Sequence, residues 1–391
     1  IVVENWWWRA TFDKTSAALV SLVELASGRE FLRGPLRMVA MRDTGDAWGG
    51  DVNADFNTPV GEFTALTPEQ VGAQWAGEEK ATGSALRLLP GKEELLMGSG
   101  RPVSVTVEGL TAWQRSQASI QITLYADLPW IDVNTRLHMQ ERRKMIKLVI
   151  PFKLAQPRVT CEVPYGIAER AADGSEHVHN RWVRLDESPH IPPGKRRSAR
   201  RATGKAIEPR SIVVANNGIY GFAAMPDGTL GLSIARSAVH TRWGDQVIEP
   251  DEHHTFIDQG QVDTRFRIVI GEPEVVTEGL WPATLELNQP LDAFAVFYPP
   301  TPQINAGRAS QPFLQVSPPT VQLGTLKKAE EEEALIIRLV ESAGKPTTAT
   351  LTLEGVEAPQ PVTLAPFEIV TLKVTRKRRG IVIKPCSLLE T

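Results

Sequence analysis

The sequence is poor in cysteine and has no long hydrophobic run. Its 391 residues include two cysteines, Cys161 and Cys386, which lie far apart and form no ligand pair. A disulfide framework is therefore excluded, although a single bridge is not. No apolar run reaches the roughly 18 residues that a membrane helix needs. The net charge of −3 gives no electrostatic reason to expect nucleic acid or an anionic membrane as a partner.

The first residues, IVVENWWWRATFDK, lack an initiator methionine and the charged and apolar regions of a signal peptide. They have the composition of a strand, so we expect this chain to be a fragment of a longer polypeptide. The compartment stays undetermined, with the cytoplasm favoured because no signal peptide is visible. The sequence also leaves open whether the chain forms a homo-oligomer.

Alternation of apolar and polar residues dominates what is present. Ile120, Ile122 and Leu124 share one face of a predicted strand, and Ile131, Val133, Leu137 and Met139 share one face of the next. Thirty glycines and 29 prolines interrupt nearly every such run. Helical signals are few: residues 67–81 begin with a threonine cap, but two glycines weaken the pattern. The sequence therefore predicts an all-β protein built from large sandwiches.

Composition also predicts the domain boundaries. Residues 299–313 are rich in proline and predict a linker between a large β domain, 1–298, and a small β domain, 314–391, with a basic tail after about residue 374. Residues 186–210 are basic, rich in proline and aperiodic. A loop of this length inside a compact domain is usually functional or mobile.

An acidic loop at residues 43–57, DTGDAWGGDVNADFN, has the residue types of a sugar site. Carboxylates such as Asp46 and Asp51 accept paired hydroxyl hydrogen bonds, and the indole face of Trp48 stacks on the C–H side of a pyranose ring. The spacing does not fit an EF-hand. The residues alone favour neither a sugar site nor a surface turn with a buried tryptophan.

Other chemistry-bearing residues favour structural roles. His177 and His179 beside Glu176, and His253 and His254 after two acidic residues, have metal-like spacing but no third ligand motif. The three tryptophans at residues 6–8 are a further candidate sugar platform, but core or interdomain packing is favoured, since alternate strand residues face opposite ways and at least one is expected in the core. The basic run at 195–201 is expected to be a solvated loop. No nucleophile elbow and no phosphate-binding glycine motif occurs, and no catalytic pair of carboxylates is singled out.

Six segments, in order, resemble the C-terminal β region of glycoside hydrolase family 38, the α-mannosidases. The chain begins with a strand and turn like that region's opening hairpin, and APFEIVTLKV resembles its closing segment. The matching positions between them are Glu141, Lys147, Pro151, Glu162, Pro164, Gly166, Arg170, Gly218, Gly231, Leu232, Ser233, Arg236, Ser237, Arg338, Glu341 and Gly344. The resemblance covers residues 1 to about 375 and implies a large mutarotase-like supersandwich followed by a small β-sandwich domain.

The resemblance also carries expectations about function. In the family the zinc ligands and the nucleophilic aspartate belong to an N-terminal barrel, so we expect no catalytic residue, no metal site and no cofactor in this chain. Zinc is expected only in the absent catalytic domain. The loop with Asp46, Trp48 and Asp51 corresponds to one that faces the catalytic domain. Arg236 is a second candidate for substrate contact, although a buried ion pair is the alternative.

Asp258 and Gly260 match a further family motif, in which Val262 replaces a usual histidine. Asp258 completes the set of expected substrate-binding residues. The first hypothesis is a non-catalytic wall of an α-mannosidase-like hydrolase, whose partners are the N-terminal catalytic domain of the same polypeptide and a mannoside. The second is a free-standing carbohydrate-binding module that uses Trp48, Asp46 and Asp51. The third is a mutarotase-like epimerase that uses His177 or His179 with Glu176.

Overall fold

The structure is a computed structural model that divides into two compact units. The first unit comprises Ile1–Cys161 and Glu169–Val276, and the second comprises Glu162–Ala168 and Thr277–Thr391. The structure describes residues 1–43, 56–74, 84–90, 103–154, 156–187, 209–240, 253–290, 312–378 and 380–391. The predicted linker lies mostly outside these ranges, so the predicted domain boundaries stay a prediction.

Three antiparallel sheets account for the first twenty strands. The strands are β1 (Val2–Glu4), β2 (Trp8–Asp13), β3 (Ala18–Glu24), β4 (Arg29–Glu30), β5 (Arg37–Arg42), β6 (Pro59–Glu62), β7 (Thr64–Ala65), β8 (Leu86–Pro90), β9 (Ser104–Trp113), β10 (Ser116–Tyr125), β11 (Ile131–Met139), β12 (Lys144–Pro151), β13 (Arg158–Val163), β14 (Gly166–Arg170), β15 (Glu176–Val178), β16 (Trp182–Asp186), β17 (Ser211–Asn216), β18 (Gly221–Ala224), β19 (Thr229–Arg236) and β20 (Gly260–Gly271).

Most of these strands belong to two large sheets. The larger has ten strands in the order β14-β13-β16-β17-β20-β11-β10-β9-β7, with β8 also paired to β9. A six-stranded sheet has the order β15-β18-β19-β12-β5-β6, and a four-stranded sheet has the order β1-β2-β3-β4. The all-β prediction is confirmed, because strands make up the framework and the two helices within the described ranges are minor.

The core lies where the alternating patterns predict it. Ile120, Ile122 and Leu124 of β10 are buried, and so are the four alternate residues of β11, namely Ile131, Val133, Leu137 and Met139. Register places Ile122 opposite Val133 and Leu124 opposite Ile131, so the two apolar faces form one surface. Burial of such side chains stabilises a fold by about 1.5–3 kcal/mol each before entropy is subtracted.

A glycine allows the turn between β2 and β3 to approach β9 closely. A Cβ at Gly109 would lie 2.1 Å from the carbonyl oxygen of Ala17, which is impossible without a shift of backbone. Phe12, Leu19 and Leu36 line a small cavity together with Val107 and Ile120 next to this contact. The four-stranded sheet is therefore packed on the apolar face of the ten-stranded sheet.

The second unit contains a seven-stranded β-sandwich. Its strands are β21 (Leu314–Ser317), β22 (Val321–Lys328), β23 (Leu335–Glu341), β24 (Thr347–Leu353), β25 (Gln360–Leu364), β26 (Ile369–Lys377) and β27 (Gly380–Cys386). They form one sheet in the order β21-β24-β25 and another in the order β22-β23-β26-β27. Ile337, Leu339, Ala349, Leu351 and Leu364 from both sheets share one fully buried cluster.

One interpretation of the C-terminal residues is corrected by the structure. Residues after about 374 are expected from their composition to form a basic tail, but β27 pairs with β26 from Gly380 to Cys386. Ile381 and Ile383 pack against the core of the second unit, which explains why this segment is a strand. The acidic run 330–333 is a loop that enters β23, as the β-branched residues after it predict.

The described residues include two helices. The first, α1 (Pro68–Gln74), lies in the predicted helical segment, and its cap is reciprocal: Gln70 N donates to Thr67 Oγ1 at 3.3 Å and Thr67 N donates to Gln70 Oε1 at 2.9 Å. The second, α2 (Pro273–Asn288), is not predicted from the sequence, because Pro282 interrupts its pattern. No described helix is long and apolar enough to cross a membrane. Cys161 and Cys386 are free thiols.

The fully buried carboxylate of Glu341 organises two turns of the second unit. Its Oε1 accepts from Ala343 N at 2.8 Å, and its Oε2 accepts from Gly344 N at 2.8 Å, Lys345 N at 3.2 Å and Phe367 N at 3.0 Å. Removal of this carboxylate would leave four backbone N–H groups, which are only partly buried, without the acceptor that joins the two turns.

We expect Glu341→Ala to lower the free energy of unfolding of the second unit by about 3 kcal/mol, because hydrogen bonds to a charged group contribute about 1.5–3 kcal/mol each and water replaces part of the loss at the exposed donors. Glu341→Gln should lower it less, since the amide oxygen still accepts. Urea unfolding followed by circular dichroism measures both. Glu333→Ala, which changes an exposed glutamate, is the matched control. Equal midpoints for Glu341→Ala and this control would contradict the assignment.

Candidate functional site

Arg236 and Asp258, the two predicted site residues that the structure describes, lie at one edge of the six-stranded sheet. This edge is the end of the sheet at which strands β5 and β19 terminate. Strands β5 and β19 are both antiparallel to β12, so they run in the same direction and end at the same edge. Register places Arg42 opposite Lys144 and Arg236 opposite Met145. We refer to Asp43, Phe56, Arg236 and Asp258 as the Arg236 edge.

Arg236 forms a bidentate ion pair at this edge. Its Nε donates to Asp43 Oδ2 at 2.9 Å and its Nη2 donates to Asp43 Oδ1 at 3.1 Å. The Asp43 side chain is 0% exposed and the Arg236 side chain is 16% exposed. The guanidinium carbon lies 4.9 Å from the centre of the Phe56 ring. The two residues that flank segment 44–55 therefore both lie against Arg236.

Asp258 lies at the same edge and is exposed. Its Oδ2 accepts from the backbone N–H of Arg236 at 2.9 Å. Its backbone φ is 50°, in the left-handed region that few residues other than glycine adopt. Within the described part of the chain its other carboxylate oxygen makes no hydrogen bond. This oxygen is open to a hydroxyl donor.

The backbone around Asp258 is held in place by neighbouring strands. His240 N donates to Thr255 O at 2.9 Å and Ile257 N donates to Ala238 O at 3.1 Å, so the segments on either side of residues 241–252 are paired. Gln259 Nε2 and Ser237 Oγ both donate to the carbonyl oxygen of Glu141, at 2.9 and 2.7 Å. Backbone pairing on one side and side-chain hydrogen bonds to Glu141 on the other therefore hold the Arg236 edge in place.

The other expected substrate-binding residues, Asp46, Trp48 and Asp51, lie outside the described residues and stay predictions. The same holds for the basic run 195–201. The position where the family usually has histidine is occupied by Val262, which pairs with Leu137. Leu137 is fully buried in the core, and an apolar side chain is suited to the position opposite it.

A buried charged cluster lies on the same face of the six-stranded sheet as Arg236. Lys147 Nζ donates to Glu176 Oε2, and Ser233 Oγ donates to the other oxygen of Glu176. Burial lowers the pKa of Lys147, while the charge of Glu176 acts in the opposite direction. The spacing of residues in the sequence groups Glu176 only with His177 and His179 and does not pair it with Lys147. The signal for the pair is a lysine in the middle of the apolar run KMIKLVIP.

Two glycines allow Lys147 to lie along the sheet. A Cβ at Gly231 would be 3.3 Å from Cδ of Lys147, and a Cβ at Gly221 would be 2.8 Å from Oε1 of Glu176. The lysine side chain thus extends from β12 over β19, the glutamate side chain extends from β15 over β18, and the two charged groups meet between them. Larger residues at these two positions would separate the charges.

The paired histidines near Glu176 are structural. Both rings pack on Phe222, at centroid distances of 5.7 Å for His177 and 5.1 Å for His179. Asn216 Nδ2 donates to His179 Nε2 at 3.0 Å, because Asn216 Oδ1 already accepts from two backbone N–H groups. Burial lowers the pKa of His179 to about 4. Glu176 is committed to Lys147 and Ser233, so this arrangement gives no support to the epimerase hypothesis.

The arrangement of these histidines does not support metal ligation either. Among the described residues, no group of three or more histidine, cysteine, aspartate or glutamate side chains is placed to hold a metal ion. His177 and His179 instead contact an aromatic ring and an amide. The described donors therefore do not fit zinc.

Two protein-family profiles match this chain. Residues 3–253 match the profile described as "Glycosyl hydrolases family 38 C-terminal domain". The chain belongs to glycosyl hydrolase family 38. Residues 320–372 match a second profile, "Glycosyl hydrolases family 38 C-terminal beta sandwich domain", which lies within the second unit. The resemblance seen in the sequence is thereby confirmed.

Individual proteins of similar sequence or fold agree with this assignment. Mouse alpha-mannosidase 2C1 is 24% identical over 362 residues, which cover 88% of this chain and 28% of that protein. Two Enterococcus faecalis structures, one of a family 38 protein and one of an alpha-mannosidase, each have a TM-score of 0.63 at 12% identity. They cover 95% of this chain, which spans 43% and 42% of their lengths, and the likeness shows a shared fold.

We expect Arg236→Met to lower the free energy of unfolding of the first unit by about 3 kcal/mol, because the buried Asp43 carboxylate loses its guanidinium partner. The double variant Arg236→Met/Asp43→Leu should recover part of this loss. Urea unfolding of the three proteins measures the coupling. Arg158→Met, which breaks an exposed ion pair with Glu169, is the control. A loss no larger than that of the control would show that the pair is not structural.

Stability should also depend on the protonation of His179. Its folded pKa of about 4 lies below the unfolded value of 6.5 because burial disfavours the charged ring. The contribution is therefore fully present above pH 6.5 and is lost as the pH falls towards 4, by about 3 kcal/mol in total. Unfolding free energies measured across this range should show a slope that His179→Gln reduces. Substitution of the exposed His138 should leave the slope in place; an unchanged slope in His179→Gln would contradict the prediction.

Proposed function

We propose that this chain is the non-catalytic part of an α-mannosidase-like glycoside hydrolase. It would scaffold an N-terminal catalytic domain of the same polypeptide and close one side of its mannoside pocket. The observation that carries the proposal is the match to both C-terminal regions of family 38 in a chain that spans only 28% of mouse alpha-mannosidase 2C1. Relatives thus have a large part of their length outside the matched region.

The Arg236 edge supports a role as one wall of the pocket. Arg236 commits Nε and Nη2 to Asp43, so its contribution is to hold the backbone at the edge. Asp258 uses one carboxylate oxygen for this purpose and leaves the other open. A carboxylate oxygen accepts strong hydrogen bonds from sugar hydroxyls, because the acceptor is charged. We therefore propose Asp258 as the described residue that contacts substrate.

Zinc is assigned to the catalytic domain in this proposal. Among the described residues of this chain, no group of three or more histidine, cysteine, aspartate or glutamate side chains is placed to hold the ion, and no step is derived through it. The chain's own contribution is to orient the sugar and to exclude water from one side of it. Contacts of this kind act on substrate binding and position rather than on bond cleavage.

The proposal predicts that this chain alone does not hydrolyse an aryl α-mannoside, with or without added zinc, whereas the longer polypeptide with the N-terminal domain does. In that polypeptide, Asp258→Ala should raise KM about 10-fold, the effect of losing one charged hydrogen bond of about 1.4 kcal/mol. A smaller change in kcat is expected. The measurement is a steady-state assay with p-nitrophenyl α-mannoside.

Asp263→Ala, which removes an exposed carboxylate from β20, is the matched control and should leave KM unchanged. Asp258→Asn should be intermediate, since its amide oxygen still accepts. Turnover by the isolated chain that a point substitution within it abolishes would refute the proposal. An unchanged KM in Asp258→Ala would refute the assignment of Asp258 alone.

A further inference from the structure

The turn that joins β1 and β2 exposes one of three consecutive tryptophans. Trp8 is 2% exposed and packs edge-on against Phe31 at 5.8 Å, whereas Trp6 is 73% exposed. An indole group that is exposed to water lacks the large stabilisation that burial of its apolar surface would provide. The proposed role of the Arg236 edge does not use this residue.

The backbone that presents Trp6 is held by several hydrogen bonds. Asn5 N donates to Trp8 O at 3.0 Å, and Asn5 Oδ1 accepts from Trp7 N at 2.9 Å and Trp8 N at 2.7 Å. Asn5 Nδ2 donates to Tyr125 O at 2.9 Å, and Trp8 Nε1 donates to Pro129 O at 2.6 Å. The turn is thus fixed to the ten-stranded sheet on one side, and little order has to be gained when a ligand meets the indole.

A charged pair stands at the base of the same turn. Glu4 and Arg9 are cross-strand partners with side chains 47% and 50% exposed. Their hydrogen bond uses Nε of Arg9 and Oε1 of Glu4. Within the described ranges, the two terminal nitrogens of Arg9 and Oε2 of Glu4 make no further hydrogen bond. A donor fork and a charged acceptor are therefore open on the two strands that flank the turn, two residues before and three residues after the exposed Trp6.

We propose that Trp6, Glu4 and Arg9 form a carbohydrate-binding site that takes a pyranose ring of an oligosaccharide. The indole face stacks on the C–H bonds of the ring, the terminal nitrogens of Arg9 donate to vicinal hydroxyl oxygens, and Glu4 Oε2 accepts from a hydroxyl. The site belongs to the four-stranded sheet, whereas the Arg236 edge belongs to the six-stranded sheet, and it does not depend on the proposed function.

The extent of the apolar surface favours a sugar over a protein partner. The other exposed large apolar residues of this sheet are Val2, at 57%, and Leu25, at 36%. A stable protein interface uses about 20–30 residues on each side. One indole with an open charged pair matches instead the few polar groups and single stacking face that one sugar ring requires.

Calorimetry and tryptophan fluorescence on the intact chain test the site with methyl α-mannoside, methyl β-glucoside, a manno-oligosaccharide and mannitol. We expect about millimolar binding of the pyranosides, which corresponds to about −4 kcal/mol. Mannitol, an acyclic polyol without a ring face, should not bind. Trp6→Ala should weaken binding at least 10-fold, Trp6→Phe should weaken it less, and Arg9→Met should weaken it while leaving the fluorescence response in place.

Tyr220→Ala is the matched control, because Tyr220 is an exposed aromatic residue at 59% exposure outside the four-stranded sheet. It should bind as the unchanged chain does, and Trp6→Ala should keep its unfolding midpoint. Unaltered binding in Trp6→Ala, equal binding of mannitol, or no pyranoside binding would each overturn the proposal. A change of oligomeric state in Trp6→Ala without loss of sugar binding would assign the turn to protein contact. Asp258→Ala should retain the Trp6 site, which separates the two proposals.

Discussion

The bidentate pair between Arg236 and Asp43 is the interaction on which the candidate site depends. It joins the ends of two strands that are separated by β12 in the sheet and by 193 residues in the chain. Two charges removed from water are compensated only by good geometry, and here both carboxylate oxygens are used at 2.9 and 3.1 Å. The ring of Phe56 packs over the guanidinium group of Arg236. Arg236 therefore contacts both residues that flank segment 44–55, Asp43 before it and Phe56 after it.

The same face of the sheet shows how a buried charge elsewhere is accommodated. Lys147 lies among apolar residues because glycines at 221 and 231 leave room for its chain, and because Glu176 and Ser233 complete the hydrogen bonds. Each element compensates for the others: without the glycines the charges cannot meet, and without Glu176 the ammonium group is buried alone. This mutual dependence accounts for a charged residue inside an otherwise apolar strand.

Local patterns predict much of this fold. Alternation alone identifies the buried faces of β10 and β11, since each inner position must be apolar whatever lies opposite. Alternation does not reveal that Glu176 faces Lys147. The order of strands in the sheet brings β15 near β12, and this order cannot be deduced from the spacing of residues in the sequence. Helix α2 was missed because Pro282 lies within it, and β27 because its basic neighbours masked the alternation of Ile381 and Ile383.

Asp258 shows where local rules and the fold disagree. A left-handed backbone costs a residue with a side chain about 1–2 kcal/mol, so the surrounding structure must hold it there. The hydrogen bond to Arg236 N and the pairing of Ile257 with Ala238 do so. Held in this way, the carboxylate keeps one oxygen on the strand end and turns the other outward. Strain at such a position is tolerated because the ion pair of Arg236 has already fixed the strand to which Asp258 is attached.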